Sequence, residues 1–317
     1  MSCIYKGKIV ESELSTNSNG GTEMMRKRLL DSVSTRLLEK YAIHFSRSRE
    51  MYTDVKNIFY CHDLAQDPEN NMLANGGWKH WDHFVFVSAW QRDQYVLLYQ
   101  IPYSKCTVIY NAVEKEYAVR QKDQETIRFI YHTTPHRGLE LLVPIFDALA
   151  EQYKNIHLDV YSSFGIYGWE NRDEPYSGLF KRIEAHPKMT YHGHKSNEEV
   201  LEALDKAHVF LYPNIWQETS CIALIEAIKS GVICVHPNYG ALPETACNAS
   251  IMYDYHEDIN RHASFVFSIA KQLMDSINGN PEFFDKWTQS DRFYLGRNSM
   301  PTFEAAWQKL LKDLDSV

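Results

Sequence analysis

Short apolar runs alternate with amphipathic stretches through the second half of the chain. Runs rich in branched and aromatic residues predict buried strands, and the stretches between them repeat apolar positions at helical spacing. In chain order these are strand 127–132, helix 139–153, strand 157–161, helix 176–185, strand 189–191, helix 197–207, strand 209–212, helix 222–230 and strand 232–236. This alternation predicts a doubly wound parallel sheet, which binds ligands at the carboxyl ends of its strands.

The first half shows a weaker version of the same pattern. A loop that contains Gly20 and Gly21 precedes a predicted helix over residues 23–38, and apolar runs at 42–45, 58–61, 84–87 and 107–110 predict a small parallel sheet. Ahead of the loop only residues 5–10 are available for a strand, so a first strand is expected to be short or absent. Residues 259–277 and 302–314 are predicted to be helices near the other end of the sequence.

Length and composition favour two folded domains. A chain of 317 residues exceeds what one hydrophobic core usually supports, and 44% of its residues are apolar. The polar stretch 114–126 is the best candidate for a linker. With 33 Lys and Arg against 41 Asp and Glu, the net charge of −8 argues against non-specific attraction to nucleic acid or to anionic lipid.

Several features favour a cytoplasmic location. The six cysteines are widely spaced and include no C-x-x-C pair, which is typical of free thiols in a reducing compartment. Charged residues interrupt the first 30 positions, so no signal peptide is predicted, and no window is apolar enough for a membrane span. The oligomeric state is not predicted by any of these patterns.

Two glutamates mark the most informative stretch, residues 209–244. Here a buried-type strand ends at Pro213, a loop carries Glu218, and Thr219 and Ser220 lie where the next helix is expected to begin. The free N–H groups of a helix start form an anion site, and Glu226 lies inside the same helix. The simpler alternative is that Glu218 is a solvated loop acid and Glu226 a surface acid on the helix.

The order of these residues resembles the donor-binding motif of the group 1 retaining glycosyltransferases. Pro213, the Glu218–Glu226 spacing, Ala227, Gly231, and the run Gly240 to Glu244 stand in the sequence of that motif. The resemblance implies the GT-B fold, in which two Rossmann-like doubly wound domains face each other across a cleft. It also implies an acceptor-side domain over residues 1–117 and 295–317, and a donor-binding domain over residues 118–294.

The resemblance also assigns roles to individual residues. Glu218 is expected to bind hydroxyls of the donor sugar and Glu226 the ribose, while the backbone of Thr219, Ser220, Cys221 and Ile222 binds the diphosphate. In the segment 127–142, Arg137 followed by Gly138 resembles the basic helix start that contacts the diphosphate, where a guanidinium offers paired donors. Many members have an additional Arg just before this point, whereas this chain has His132, Thr133 and Thr134. The plainer alternative for Arg137 is a surface cap on a helix.

Two elements of the first half complete the expected site. Gly20 and Gly21, preceded by Asn19, resemble a glycine loop that lets the backbone approach phosphate, although an ordinary flexible turn has the same composition. His62 follows the strand 58–61, at the place of a histidine that lies near the sugar and takes part in catalysis with Glu218 and Arg137. The alternative is a structural histidine paired with Asp63.

The function implied is transfer of a sugar from a nucleoside diphosphate sugar, with UDP or GDP as the nucleotide, to a hydroxyl of a glycan, lipid or protein-linked acceptor. The family retains configuration at the anomeric carbon, and no Asp-x-Asp element is placed to hold a metal, so no cofactor or metal is expected. A sugar-nucleotide epimerase of the same fold and a non-catalytic nucleotide-sugar-binding protein remain as alternatives. The first would turn over without an acceptor, and the second would bind the donor without turnover.

Overall fold

The computed structural model describes residues 2–11, 20–46, 51–116, 122–123, 125–280, 282–288 and 293–316. The chain folds into two compact units. The first comprises Met1–Glu114, Glu218–Ile222 and Gly296–Val317, and the second comprises Lys115–Gln217 and Ala223–Leu295. Residues 117 and 118, where the sequence predicts a domain boundary, lie outside the described residues.

The first unit is built on a six-stranded mixed sheet. Its strands are β1 (Ser2–Tyr5), β2 (Lys8–Glu11), β3 (Tyr41–Phe45), β4 (Lys56–Cys61), β5 (His83–Phe86) and β6 (Cys106–Val108), in the order β2-β1-β3-β4-β5-β6. Strands β3 to β6 are parallel, whereas β1 pairs antiparallel with both β2 and β3. The helices are α1 (Gly21–Ser32), α2 (Thr35–Leu38) and α3 (Ala89–Tyr99), together with α11 (Met300–Asp315) from the far end of the chain.

The first unit differs from the sequence prediction in two places. An antiparallel hairpin, β1–β2, replaces the short or absent strand expected over residues 5–10, and its pairing makes the sheet mixed rather than parallel. The helix predicted over residues 23–38 is broken, because Val33 adopts extended backbone angles (φ −100°, ψ 132°). The break falls in a run of Ser, Val, Ser and Thr, all of which have low helix propensity.

Both faces of this first sheet are covered by apolar side chains. On one face Ile43, Ile58 and Val85 pack in a cluster with Met25 and Leu29 of α1 and with Trp307 and Leu311 of α11. On the other face the neighbouring residues of the same strands pack with Trp81 and with Tyr95 of α3. This alternation along the strands is the period-two pattern that a sheet buried on both faces requires.

The second unit contains a fully parallel sheet of six strands. They are β7 (Ile127–Tyr131), β8 (Ile156–Val160), β9 (Met189–Tyr191), β10 (Val209–Leu211), β11 (Ile233–Pro237) and β12 (Ile251–Tyr253), in the order β12-β11-β10-β7-β8-β9. The connecting helices are α4 (Leu139–Gln152), α5 (Ser177–Ala185), α6 (Asn197–Lys206), α7 (Ile222–Lys229) and α8 (Leu242–Ala246), followed by α9 (Ile259–Gly279) and α10 (Phe283–Thr288). The doubly wound α/β prediction is confirmed for this unit, and the sequence pattern missed only α8, β12 and α10.

The strand order of the second unit fixes where a ligand can bind. From β7 the chain winds outward through β8 to β9, and then returns to the other side of β7 to form β10, β11 and β12. The reversal lies between β7 and β10. A crevice at the carboxyl ends of the strands opens at such a switch point, so the segments that follow β7, β8 and β10 are the candidate ligand-binding segments.

Candidate functional site

The turn after β7 is tightly fitted to the end of β10. Thr134 precedes a short 3₁₀ turn, Pro135–Arg137, and the N–H of Arg137 donates to the carbonyl of Thr134 (3.2 Å). Gly138 follows with φ +118°, and a Cβ at this position would lie 2.2 Å from the carbonyl oxygen of Pro213. Only glycine satisfies both conditions, so Gly138 brings the Arg137 turn directly against the segment that follows β10.

Polar side-chain atoms without partners collect where β7 and β8 end. Four of them are buried and meet no hydrogen-bond partner within the described ranges: His132 Nδ1, Thr133 Oγ1, Thr134 Oγ1 and Ser162 Oγ. Buried polar groups are nearly always hydrogen-bonded, and an unmet group costs free energy. This edge of the sheet therefore has the hydrogen-bonding capacity to hold a polar ligand.

His132 is oriented by helix α7. Its Nε2 donates to the carbonyl oxygen of Ala223 (3.0 Å), and its ring lies 4.5 Å from that of Phe210 on β10. Burial lowers the pKa of His132 to about 4, although the bond to Ala223 opposes the shift. The imidazole is therefore neutral near pH 7, with its proton on Nε2.

Glu226 is a buried acid on α7. Its side chain is only 4% exposed, and its Oε1 accepts from Nδ2 of Asn197 (3.1 Å), the first residue of α6. Glu218 is likewise only 5% exposed. The alternative, in which Glu226 is a surface acid on the helix and Glu218 a solvated loop acid, is wrong because both residues are buried. Burial of a carboxylate is costly unless the group is hydrogen-bonded.

The segment Glu218–Ile222 belongs to the first unit, and two hydrogen bonds at Thr219 attach it there. Thr219 Oγ1 donates to the carbonyl of His62 (2.8 Å), and Ser88 Oγ donates to the carbonyl of Thr219 (2.7 Å). Helix α7 begins at Ile222, which is where the sequence pattern predicted its first residue, and Thr219 and Ser220 lie in the segment that leads into it. The side chain of Thr219 is thus bonded to the backbone of the first unit.

The glycine loop of the first unit is described only in part. Gly20 is the N-cap of α1 and is buried, and Asn19 lies outside the described residues. A Cβ on Gly21 would lie 3.1 Å from Cδ1 of Ile222, so the backbone at Gly21 runs close to the segment Glu218–Ile222. A side chain at this position would require the end of the Ile222 side chain to shift slightly.

His62 is a neutral, oriented histidine at the end of β4. The backbone N–H of His62 donates to Ser46 Oγ (2.9 Å), and the centroid of its ring lies 4.3 Å from that of Tyr60. Burial lowers the pKa of His62 to about 3. Its Nε2 is buried and has no hydrogen-bond partner in the part of the chain that the structure describes, so pairing with Asp63 does not satisfy this nitrogen.

The sequence patterns did not single out Ser88, Asn197 and Ser162. Ser88 also caps α3 by accepting from the N–H of Gln91 (3.0 Å), and Asn197 opens α6. Each has a local signal, since Ser and Asn favour helix starts and strand ends, but their approach to Thr219 and Glu226 depends on tertiary packing. In the described ranges, no three His, Cys, Asp or Glu side chains form a group that could hold a metal ion.

Comparison with known proteins identifies the family. Residues 113–286, more than half of the chain, match the family described as glycosyl transferases group 1. The chain belongs to this family. The group 1 match includes the Arg137 turn and the segment from Pro213 to Glu244, so the resemblance predicted from these residues is confirmed.

Relatives of this group 1 member act on different sugars. The chain is 23% identical over 226 residues to the O-antigen chain mannosyltransferase RfbU of Salmonella typhimurium, an alignment that covers 71% of this chain and 61% of the relative. It is 25% identical over 167 residues to a component of the human phosphatidylinositol N-acetylglucosaminyltransferase, which covers 51% of this chain and 33% of the relative. The aligned region thus spans less than two thirds of either relative.

A solved structure supports the fold. A glycosyltransferase from Rickettsia africae matches 96% of this chain and 84% of its own with a TM-score of 0.66 at 14% identity. The two Rossmann-like units are those of the GT-B fold, and the predicted fold class is confirmed. None of the helices in the described ranges is long and apolar enough to cross a lipid bilayer.

Proposed function

We propose that this group 1 family member transfers a sugar from a nucleoside diphosphate sugar to a hydroxyl of a glycan, lipid or protein-linked acceptor, with retention and without a metal ion. The observation that carries the proposal is the strand-end site of the second unit. There the Arg137 turn lies against Pro213, and Glu226 is buried on α7. The buried hydroxyls of Thr133, Thr134 and Ser162 meet no hydrogen-bond partner among the described residues. Family membership supports the same conclusion.

In the proposed donor complex each part of the nucleotide sugar has its own protein groups. Arg137 contacts the diphosphate, because a guanidinium matches two phosphate oxygens at once. The backbone of Thr219, Ser220, Cys221 and Ile222 contributes N–H donors, and Gly20, Gly21 and Gly138 allow close backbone approach. Glu226, oriented by Asn197, accepts from the ribose hydroxyls, and Glu218 accepts from hydroxyls of the sugar.

The proposed reaction requires stabilisation of a departing diphosphate. The bond between the anomeric carbon and the β-phosphate oxygen breaks, and its electron pair stays on that oxygen. The acceptor oxygen bonds to the anomeric carbon on the same face, and its proton passes to the departing phosphate. Arg137 and the helix start stabilise the developing charge through oriented donors. His62 is neutral at physiological pH, so it bonds to sugar hydroxyls without adding a positive charge.

A donor panel tests this proposal. The purified protein is heated with UDP-glucose, UDP-N-acetylglucosamine or GDP-mannose, with and without a chelator, and the change in melting temperature is recorded. At least one donor is expected to stabilise the fold in chelator, because a ligand that binds only the native state raises its stability. Release of nucleoside diphosphate with that donor should persist in chelator and increase when a hydroxyl acceptor is added.

Other outcomes separate the alternatives. Interconversion of two nucleotide sugars without an acceptor would identify an epimerase. Stabilisation without any release of nucleoside diphosphate, across a panel of glycan and lipid acceptors, would identify a binding protein. Complete and reversible loss of transfer in chelator would refute metal independence.

A further inference from the structure

His132, at the end of β7, has one ring nitrogen that is hydrogen-bonded and one that has no partner among the described residues. Nε2 of His132 donates to the carbonyl of Ala223 in the first turn of α7. A carbonyl oxygen only accepts, so Nε2 carries the proton, and in the neutral ring Nδ1 is left as an acceptor. Nδ1 is buried and meets no donor among the described residues.

A ligand group can satisfy Nδ1 either by donating to the neutral ring or by accepting from a protonated ring. A sugar hydroxyl can donate to the neutral ring, and no proton is exchanged with solvent. A phosphate oxygen carries no proton to donate, so it can bond to Nδ1 only when this nitrogen is itself protonated. The two possibilities therefore differ by one proton per bound ligand.

The surroundings of His132 favour phosphate. Thr133 Oγ1 and Thr134 Oγ1 are buried hydroxyls that meet no partner within the described part of the chain, and each can donate to an anion. Arg137 belongs to the same strand-end turn. Hydroxyl donors and a guanidinium suit a diphosphate, whereas sugar hydroxyls also need acceptors.

We propose that His132 binds the diphosphate of the donor as an imidazolium, and that donor binding takes up one proton from solvent. This rests on the proposed function, since it assumes a nucleotide sugar at this site. In this chain His132 thus supplies, only when the ligand is present, the second positive charge beside Arg137. The proton moves from solvent to Nδ1, and no bond within the donor changes in this step.

The groups around the ring allow such a change. The elements packed against His132 present the Phe210 ring from β10 and the Ala223 carbonyl from α7. The ionisable groups on these elements and on the turn are His136, Arg137, Glu226 and Lys229. Burial keeps the pKa of His132 at about 4 without ligand, and a diphosphate in contact with Nδ1 raises it because opposite charges stabilise each other.

Calorimetry in matched buffers measures the proton directly. An intact nucleotide sugar is the correct probe, because its esterified diphosphate does not titrate near neutral pH. The best stabiliser among UDP-glucose, UDP-N-acetylglucosamine and GDP-mannose is titrated into the protein at pH 7 in PIPES and in Tris, which differ in ionisation enthalpy. The dependence of the binding enthalpy on that of the buffer gives the number of protons bound, and a value approaching one is expected.

The pH dependence and two variants complete the test. Donor affinity should fall as pH rises from 6 to 8, with a limiting slope of tenfold per pH unit. His132→Gln keeps a side-chain donor but cannot take up a proton, so its affinity should be nearly independent of pH and its proton uptake should be zero. His132→Arg, which carries a permanent charge, should bind the donor without proton uptake.

Each contrary result has a definite meaning. Tight donor binding by the wild type with the same enthalpy in both buffers overturns the role of His132 and leaves the proposed function intact. Equal proton uptake by His132→Gln assigns the proton to another group and also overturns it. Absence of binding by every nucleotide sugar overturns both proposals. A wild-type proton count of zero overturns the proposal without any variant, and His132→Arg assigns the proton if His132→Gln does not fold.

Discussion

Glu226 and Glu218 are both buried, and the proposed donor complex assigns them to different parts of the ligand. Glu226→Ala is expected to weaken binding of the free nucleoside diphosphate by about 1–3 kcal/mol, because the acceptor for the ribose hydroxyls is lost. Glu218→Gln should leave that affinity nearly unchanged but lower turnover of the intact donor, because negative charge near the reacting carbon is removed.

The measurement compares nucleoside diphosphate affinity with turnover of the intact donor in both variants. Glu151→Gln, at an exposed position near the end of α4, is the matched control and should alter neither quantity. If Glu218→Gln lost nucleotide affinity as well, its assignment to the sugar would be wrong. Normal turnover in that variant would remove Glu218 from the mechanism.

The connection between β7 and α4 depends on one glycine. Gly138→Ala is expected to lower the free energy of unfolding by more than about 2 kcal/mol, because its φ of +118° is strained for alanine and the new Cβ would clash with the Pro213 carbonyl. Gly178→Ala is the matched control. Gly178 lies in α5, a Cβ there meets no atom of the described residues within 4 Å, and alanine is the better helix former.

Urea unfolding of the two variants checks this expectation. The midpoint should fall for Gly138→Ala and stay level or rise for Gly178→Ala. Equal midpoints would show that the turn relaxes around a side chain at position 138, and that its close fit to the segment after β10 is not required.

Many elements of the second unit were predictable from sequence because the central strands β10 and β11 are buried along their whole length. Such strands are continuous apolar runs, as in Val209–Leu211, and the helices between them carry a clear apolar stripe. The sequence pattern did not predict the β1–β2 hairpin. In the structure Lys6 and Gly7 form its turn, and both have positive φ (49° and 74°). A Lys-Gly turn is a weaker signal than Asn-Gly, and each strand has only four residues.

For the candidate site, the sequence predicted the residue types but not their environments. The sequence pattern placed Glu218 and Arg137 after strand ends and Glu226 inside the helix that follows Glu218. It did not predict that both glutamates are buried or that Asn197 bonds to Glu226, because a side chain from another helix supplies that contact. Nor did it reveal that His132 is held by Ala223, a contact between residues 91 positions apart in the chain.

The whole molecule contains buried neutral histidines in both units. Burial lowers the pKa of His44, His83, His208 and His236 to about 4, against 6.5 for an exposed imidazole. As pH falls below 6.5 the unfolded chain takes up protons that the folded form excludes. Stability is therefore complete above pH 6.5 and is lost as the pH falls toward 4.

We expect the free energy of unfolding to fall by at least about 3 kcal/mol between pH 7 and pH 5, because each unit of separation between folded and unfolded pKa costs about 1.4 kcal/mol. Urea titrations at pH 7, 6 and 5 measure this change. His80→Gln, which replaces an exposed histidine, should show the same pH dependence as the wild type. Constant stability over this range would contradict the expected cost of protonating the buried rings.

The path of the chain has a consequence for how the protein is made. Helix α11 contributes Phe303, Trp307 and Leu311 to the same core as Ile4 and Met25, and the hydroxyl of Tyr41 donates to the carbonyl of Leu311 (2.5 Å). A ribosome must therefore synthesise the whole of the second unit before the first can close its core, an interval of roughly ten to forty seconds at typical elongation rates. During translation the first unit begins earlier but is completed last, with the apolar face that α11 covers exposed to chaperones in the meantime.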